Sequence, residues 1–230
     1  MKKLLAGLVT GVLMLASFES ATADTIAWTN WTTSDSNVVN GLVNIGGTDV
    51  GVTFSGKYAF AQTDGGINYW IPSSPYLSDS PDGDVDNAPP DPDIIALYEG
   101  GLKTITFSQP VENPIFAFVS WNGVTFNPGI PFEILVSTDS STGFWGYGYP
   151  LKAADNKSFV GVGEYHGTIR FNGTYQVISF MDSSENWHGL TVGVSPSAAP
   201  VPEPATMLLF GTGLAGLAAV GRRKNKKEVC

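Results

Sequence analysis

Apolar and polar residues alternate with a period of two through most of the chain, the signature of half-buried β-strands. Val50, Val52 and Phe54 alternate in this way, as do Ile105 and Phe107, and then Ile115, Ala117 and Val119. The pattern returns at Phe132, Ile134 and Val136, at Ile169 and Phe171, and at Leu190, Val192 and Val194. Gly, Asn, Asp and Pro recur every few residues, so no segment of this region keeps a helical period. Gly46-Gly47 and Asn172-Gly173 have the composition of hairpin turns, and the second is expected to join strands over 166–171 and 174–181. Short strands with frequent turns predict an all-β ectodomain, an antiparallel β-sandwich of jelly-roll type in which each strand buries one face.

Both ends depart from this pattern. Met1-Lys2-Lys3, an apolar stretch over 4–18 and Ala21-Thr22-Ala23 predict a signal peptide over 1–23, removed by signal peptidase before Asp24. The ectodomain then spans 24–200. Beyond it, Val201-Pro202-Glu203-Pro204 precedes an apolar run over 205–220 and the basic group Arg222-Arg223-Lys224-Asn225-Lys226-Lys227. Such a run reads as a single transmembrane helix, with the basic group as a stop on the cytoplasmic side. In order and composition, 201–230 resembles the PEP-CTERM sorting signal of Gram-negative bacteria. That resemblance implies recognition by an exosortase at Pro202, Glu203 and Pro204, in hosts that typically make exopolysaccharide. It also implies export through an inner-membrane intermediate to the cell envelope, the surface or the extracellular matrix. The stretches running from Ile105 to Pro114 and from Glu185 to Val194 are similar to segments of uncharacterised PEP-CTERM ectodomains, which are predicted β-sandwiches. This second likeness supports the fold and transfers no activity.

Composition narrows the function classes. At 14% charged and 12% aromatic residues the chain is no disordered polymer. Eighteen of the 21 acidic residues lie within 24–200, against five of the 12 basic ones. A surface so acidic excludes nucleic acid as a partner and attracts cations. The single cysteine is Cys230, so an intramolecular disulfide and a thiol nucleophile in the ectodomain are both excluded.

Four groups of residues could carry chemistry. Asp82, Asp84, Asp86, Asp91 and Asp93 form an acidic, proline-rich segment with the alternating oxygen ligands that suit Ca2+, although the spacing is not that of an EF-hand. The alternative is a solvated loop. Trp145, Tyr147 and Tyr149, expected on one face of a strand with glycines behind them, can stack on sugar rings, with Trp187 as a further platform. Core packing is the competing reading. Glu164, His166 and Arg170 are expected on the outward polar face of a strand rather than around a metal. Glu133, Glu164 and Glu185 are carboxylates of the right type for glycoside hydrolysis, but no catalytic motif surrounds them. The reading that results is a non-enzymatic exported envelope or matrix protein, associated with exopolysaccharide. Its alternative is a carbohydrate-binding module, with a polysaccharide-active enzyme ranked behind both.

Overall fold

The computed structural model describes residues 25–78, 85–135 and 141–195. The expected signal peptide, the expected transmembrane helix, Pro202, Glu203 and Pro204, and Asp82 and Asp84 all lie outside these residues. Among the described residues no helix is long and apolar enough to cross a membrane. The strands are β1 (Ala27–Trp28), β2 (Asn30–Asp35), β3 (Val38–Ile45), β4 (Thr48–Ser55), β5 (Phe60–Gln62), β6 (Ile94–Leu97), β7 (Gly101–Glu112) and β8 (Pro114–Trp121). They continue with β9 (Thr125–Asn127), β10 (Glu133–Ile134), β11 (Ser141–Gly143), β12 (Gly146–Lys152), β13 (Phe159–Gly163), β14 (Tyr165–Arg170), β15 (Thr174–Asp182) and β16 (His188–Val194). One short 3-10 turn, Ser74–Tyr76, interrupts the β structure.

The strands form two antiparallel sheets. Nine of them run in the order β11-β12-β13-β9-β15-β7-β4-β3-β2, and seven in the order β10-β14-β8-β16-β6-β5, with β1 also on β16. The expected sandwich is therefore present. Val50, Val52, Phe54, Ile105, Phe107, Ile178 and Phe180 of the larger sheet share one core with Phe116, Phe118, Ile169, Leu190 and Val192 of the smaller. Phe126 and Phe118 sit at the centre of an aromatic network, 5.0 Å apart between ring centroids. The Gly46-Gly47 hairpin forms as expected, with Ile45 opposite Thr48 and both glycines at positive φ.

Two expectations are corrected. Asn172-Gly173 does not close a hairpin, because β14 pairs in the smaller sheet and β15 in the larger. It is a corner between sheets, stitched to the parallel corner at Asn113. The Asn113 N–H donates to the Gly173 carbonyl at 2.8 Å, and the Gly173 N–H donates to Asn113 Oδ1 at 2.9 Å. The second correction concerns one-sided burial. All of β8 is buried, with Phe116 and Phe118 in the central core and Ile115, Ala117 and Val119 in a second cluster. That cluster is completed by Tyr69, Trp70, Tyr76 and Val85, so the segment between β5 and β6 covers the outer face of the smaller sheet as a third layer.

This cover explains His166. It projects from the outer face of β14, yet it is fully buried, with the Tyr76 hydroxyl 3.4 Å from its Nδ1 and Gly143 packed over its ring. The outward polar face expected for Glu164, His166 and Arg170 is thus not solvated at His166.

Close approach of β13 to β8 depends on Gly161, where an added Cβ would lie 1.7 Å from the Trp121 carbonyl oxygen. Backbone has no rotamer with which to yield. Gly161→Ala is expected to lower the unfolding free energy by about 2–3 kcal/mol, read as a fall in the denaturant midpoint at unchanged slope.

Candidate functional site

At one end of β8 the ladder is irregular. Tyr165 pairs Trp121 and Gly167 pairs Phe118, so β8 carries one extra residue against β14. Ser120 takes up this bulge at φ 57°, a left-handed conformation that non-glycine residues seldom adopt. The bulge turns the Ser120 hydroxyl toward Glu164, to which it donates a short hydrogen bond. The Asn122 side-chain amide donates to the other Glu164 oxygen at 2.8 Å. Glu164 itself is held where β13 hands over to β14, its N–H donating to the Tyr147 carbonyl at 2.8 Å. Gly148 permits that approach, since a Cβ there would meet the Glu164 backbone at 2.4 Å.

Across from Glu164 stands Glu185, in the loop before β16. Ser120, Trp145, Glu164, Glu185, Asn186 and Trp187 line a pocket of about 270 Å3. Asn122 links the two carboxylates, because its backbone N–H bonds Glu185 while its amide bonds Glu164. Burial pushes the Glu185 carboxyl up to about 7; the Asn122 N–H opposes this and the Glu164 charge adds to it. Two ring walls complete the pocket. Trp145 and Trp187 lie 6.2 Å apart, and Tyr69 and Phe144 close a ring of four aromatic contacts behind them.

Behind Glu185 a chain of polar groups enters the core. Glu185 Oε2 and His188 Nδ1 face each other at 3.8 Å, and neither has another hydrogen-bond partner among the described residues. His188 Nε2 lies 3.2 Å from Asp182 Oδ2, and Lys103 Nζ donates to Asp182 Oδ1 at 2.8 Å. Burial lowers the His188 pKa against the pull of Asp182, so the ring is neutral at pH 7. Nε2–H then donates to the carboxylate, and Nδ1 presents a lone pair to the Glu185 carboxyl.

The sequence candidates fall into different places. Trp145 occupies the turn between β11 and β12, not the strand, and lines the pocket with Trp187. Tyr147 and Tyr149 lie on β12, on the side opposite Gly148. At 55%, 50% and 38% exposure, Trp145, Tyr147 and Tyr149 are not core residues. Glu133 pairs Arg170 at 2.8 Å, at the end of β14 opposite to Glu164 and the pocket. Of the aspartates, Asp86 accepts from the Thr25 hydroxyl, and Asp91 is exposed. Asp93 is buried and accepts the Trp31 N–H at 2.9 Å. Burial raises its pKa against that hydrogen bond. Among the described residues no three acidic, His or Cys side chains cluster to hold a metal ion. Ser120, Asn122, Asp182, Asn186 and the link through His188 to Lys103 had no motif to announce them.

The geometry defines a class first: a β-sandwich with an aromatic pocket that holds two carboxylates at one end of its covered sheet. The tail adds a likeness. Residues 200–224 match the PEP-CTERM protein-sorting motif, so the tail of the chain is similar to that sorting signal. The motif implies export and sorting by an exosortase, and it lies outside the described residues. No curated protein and no solved structure matches the chain.

Glu185 carries a pH signature. Its folded pKa of about 7 exceeds the ordinary 4.5, so the folded state binds its proton more tightly than the unfolded chain does. The corresponding stability is present below pH 4.5 and lost as pH rises through 7. Glu185→Gln should therefore be more stable than wild type at pH 8, by about 1–2 kcal/mol after solvent screening at the pocket mouth. Thermal melts of both proteins from pH 4 to 8 check this; parallel curves would contradict it.

Proposed function

We propose that this is a non-enzymatic protein of the cell envelope or extracellular matrix, processed by an exosortase and held among exopolysaccharide. The observation that carries the proposal is the sorting motif over 200–224. It is joined to a rigid sandwich whose exposed aromatics offer flat surfaces to a polymer. Signal peptidase and the exosortase act on the two ends, and the tail anchors the precursor in the inner membrane until it is processed. Mass spectrometry of envelope and medium fractions tests this. The expected product starts at Asp24 and lacks the basic tail, and Glu203→Ala or Pro204→Ala leaves precursor in the inner membrane. A surface form that retains Cys230 would refute processing.

Exposure of Trp145, Tyr147 and Tyr149 favours a second reading, a carbohydrate-binding module. An indole or phenol face turned to solvent loses little by covering a pyranose ring, and its hydroxyl or N–H remains free to bond. On a glycan array, Trp145→Ala should reduce binding about tenfold while leaving the melting temperature unchanged. Retention of full binding by this variant would exclude the turn as the platform.

A further inference from the structure

The pocket beside the Trp145–Trp187 contact carries an electrostatic problem of its own making. Glu164 and Glu185 are both bonded to Asn122, and no cationic side chain lines the pocket. Lys103, which lies behind them, is committed to Asp182, and His188 is neutral. Elsewhere the acidic surface is relieved: Lys57 pairs Glu99, Arg170 pairs Glu133, and Asp49 accepts from the Asn44 amide. In the pocket the like charges are met only by neutral donors, and burial raises the cost of keeping both ionised.

A fully buried side chain points to the same place. His188 is 0% exposed, and its Nδ1 is aimed at Glu185 Oε2, the buried oxygen of the pocket carboxyl, which also lacks a hydrogen-bond partner. Folding thus leaves Glu185 holding a proton near neutral pH, ready to be released when a cation takes its place. The two indoles supply the other half of a cation site, since aromatic faces attract cations most strongly when water is displaced. At about 270 Å3 the pocket has room for one sugar ring rather than a large ligand. Ser120, Asn122 and Asn186 add neutral hydrogen-bonding groups for hydroxyls.

We propose that this pocket binds the ammonium group of an amino-sugar unit, with Glu164 and Glu185 as its anionic partners and the rings of Trp145 and Trp187 as its walls. The proposal rests on the carbohydrate-binding reading above and narrows it to one class of glycan. A neutral sugar would satisfy hydrogen bonds but leave Glu185 holding its proton, with no charge to pair. An anionic sugar would add to it. A bare divalent cation would find two carboxylates where a protein site offers more ligands. An ammonium group, bearing one charge and three donors, answers both carboxylates at once.

The test is isothermal titration of the full-length protein at pH 6.5 with three probes: a β-1,4-linked glucosamine tetramer, its fully N-acetylated counterpart and cellotetraose. The glucosamine tetramer should bind about tenfold or more tightly than either neutral probe. Glu164→Gln and Glu185→Gln should each remove that preference. Repeating the titration in buffers of different ionisation enthalpy should show a proton released on binding, lost in Glu185→Gln. Trp145→Ala, at an exposed turn, should weaken all binding without lowering the melting temperature, which separates a pocket defect from misfolding. Equal binding of the three tetramers, sensitive to Trp145, would overturn the proposal and leave the carbohydrate reading standing. Failure of all three to bind would overturn both. Binding of glucosamine that the pocket variants do not change would reduce it to diffuse attraction by the acidic surface. Tetralysine that binds more tightly than the sugar, with the same dependence on both glutamates, would reassign the pocket to a lysine side chain and overturn the proposal.

Discussion

One carboxylate, that of Asp182, joins the two sheets electrostatically. Its Oδ1 accepts from Lys103 of β7, beside it in the larger sheet, and its Oδ2 meets His188 of β16 in the smaller. All three side chains are essentially excluded from solvent. A buried ion pair of this kind gives little net stability against an apolar alternative, but losing one partner strands the other charge in the core. Its effect is therefore on geometry. Lys103 also bonds the Glu99 carbonyl at 2.9 Å, which ties the turn before β7 to the same buried group. The same carboxylate orients the His188 ring, and through that ring it sets what Glu185 faces at the pocket floor.

One of the irregularities in the sheets lies where the pocket forms. Opposite ends of β8 behave differently. At its start, the Asn113 corner is bonded to the Asn172-Gly173 corner, so chain reversal between sheets happens in one reinforced place. At its end, the Ser120 bulge and the positive φ redirect a hydroxyl onto Glu164. Burial on both faces makes β8 the rigid member of the set: a strand flanked by β14 and β16 and packed between two clusters cannot relax the bulge away. Strained backbone persists only where its surroundings over-determine it, and here they do.

More of this was legible than the turns suggested. Inward parity in β7 runs through Lys103, Ile105 and Phe107; in β15 through Ile178, Phe180 and Asp182; in β16 through His188, Leu190, Val192 and Val194. Each apolar stripe ends in one polar residue of the same parity, so the buried Lys103–Asp182–His188 set is written into the alternation. The unbroken apolar run from Ile115 to Val119 likewise carries the mark of a strand buried on both sides. Other features were not readable in this way. Asn-Gly suits a hairpin and a sheet-to-sheet corner alike; here Gly173 takes a positive φ and Asn172 does not, a choice set by the distant partners β8 and β7. The cover provided by Tyr69, Trp70 and Tyr76 has no period at all. Ser120, Trp145, Glu164 and Glu185 are brought together by strand order alone, which no spacing encodes.

Stability and recognition pull in opposite directions at Glu164 and Glu185. A sandwich under selection for stability alone would separate two carboxylates or place a base beside each, as this chain does at Glu99 with Lys57 and at Glu133 with Arg170. Here the bulge, Asn122 and the His188 link bring them together and hold them. Above neutral pH, removing the Glu185 charge relieves the repulsion, so there the wild-type arrangement costs folding free energy that a glutamine would return. Retained local destabilisation on rigid elements is the physical mark of a site shaped for something outside the fold. Asp93 differs in that its buried carboxyl accepts the Trp31 N–H and so ties the segment before β6 to β2.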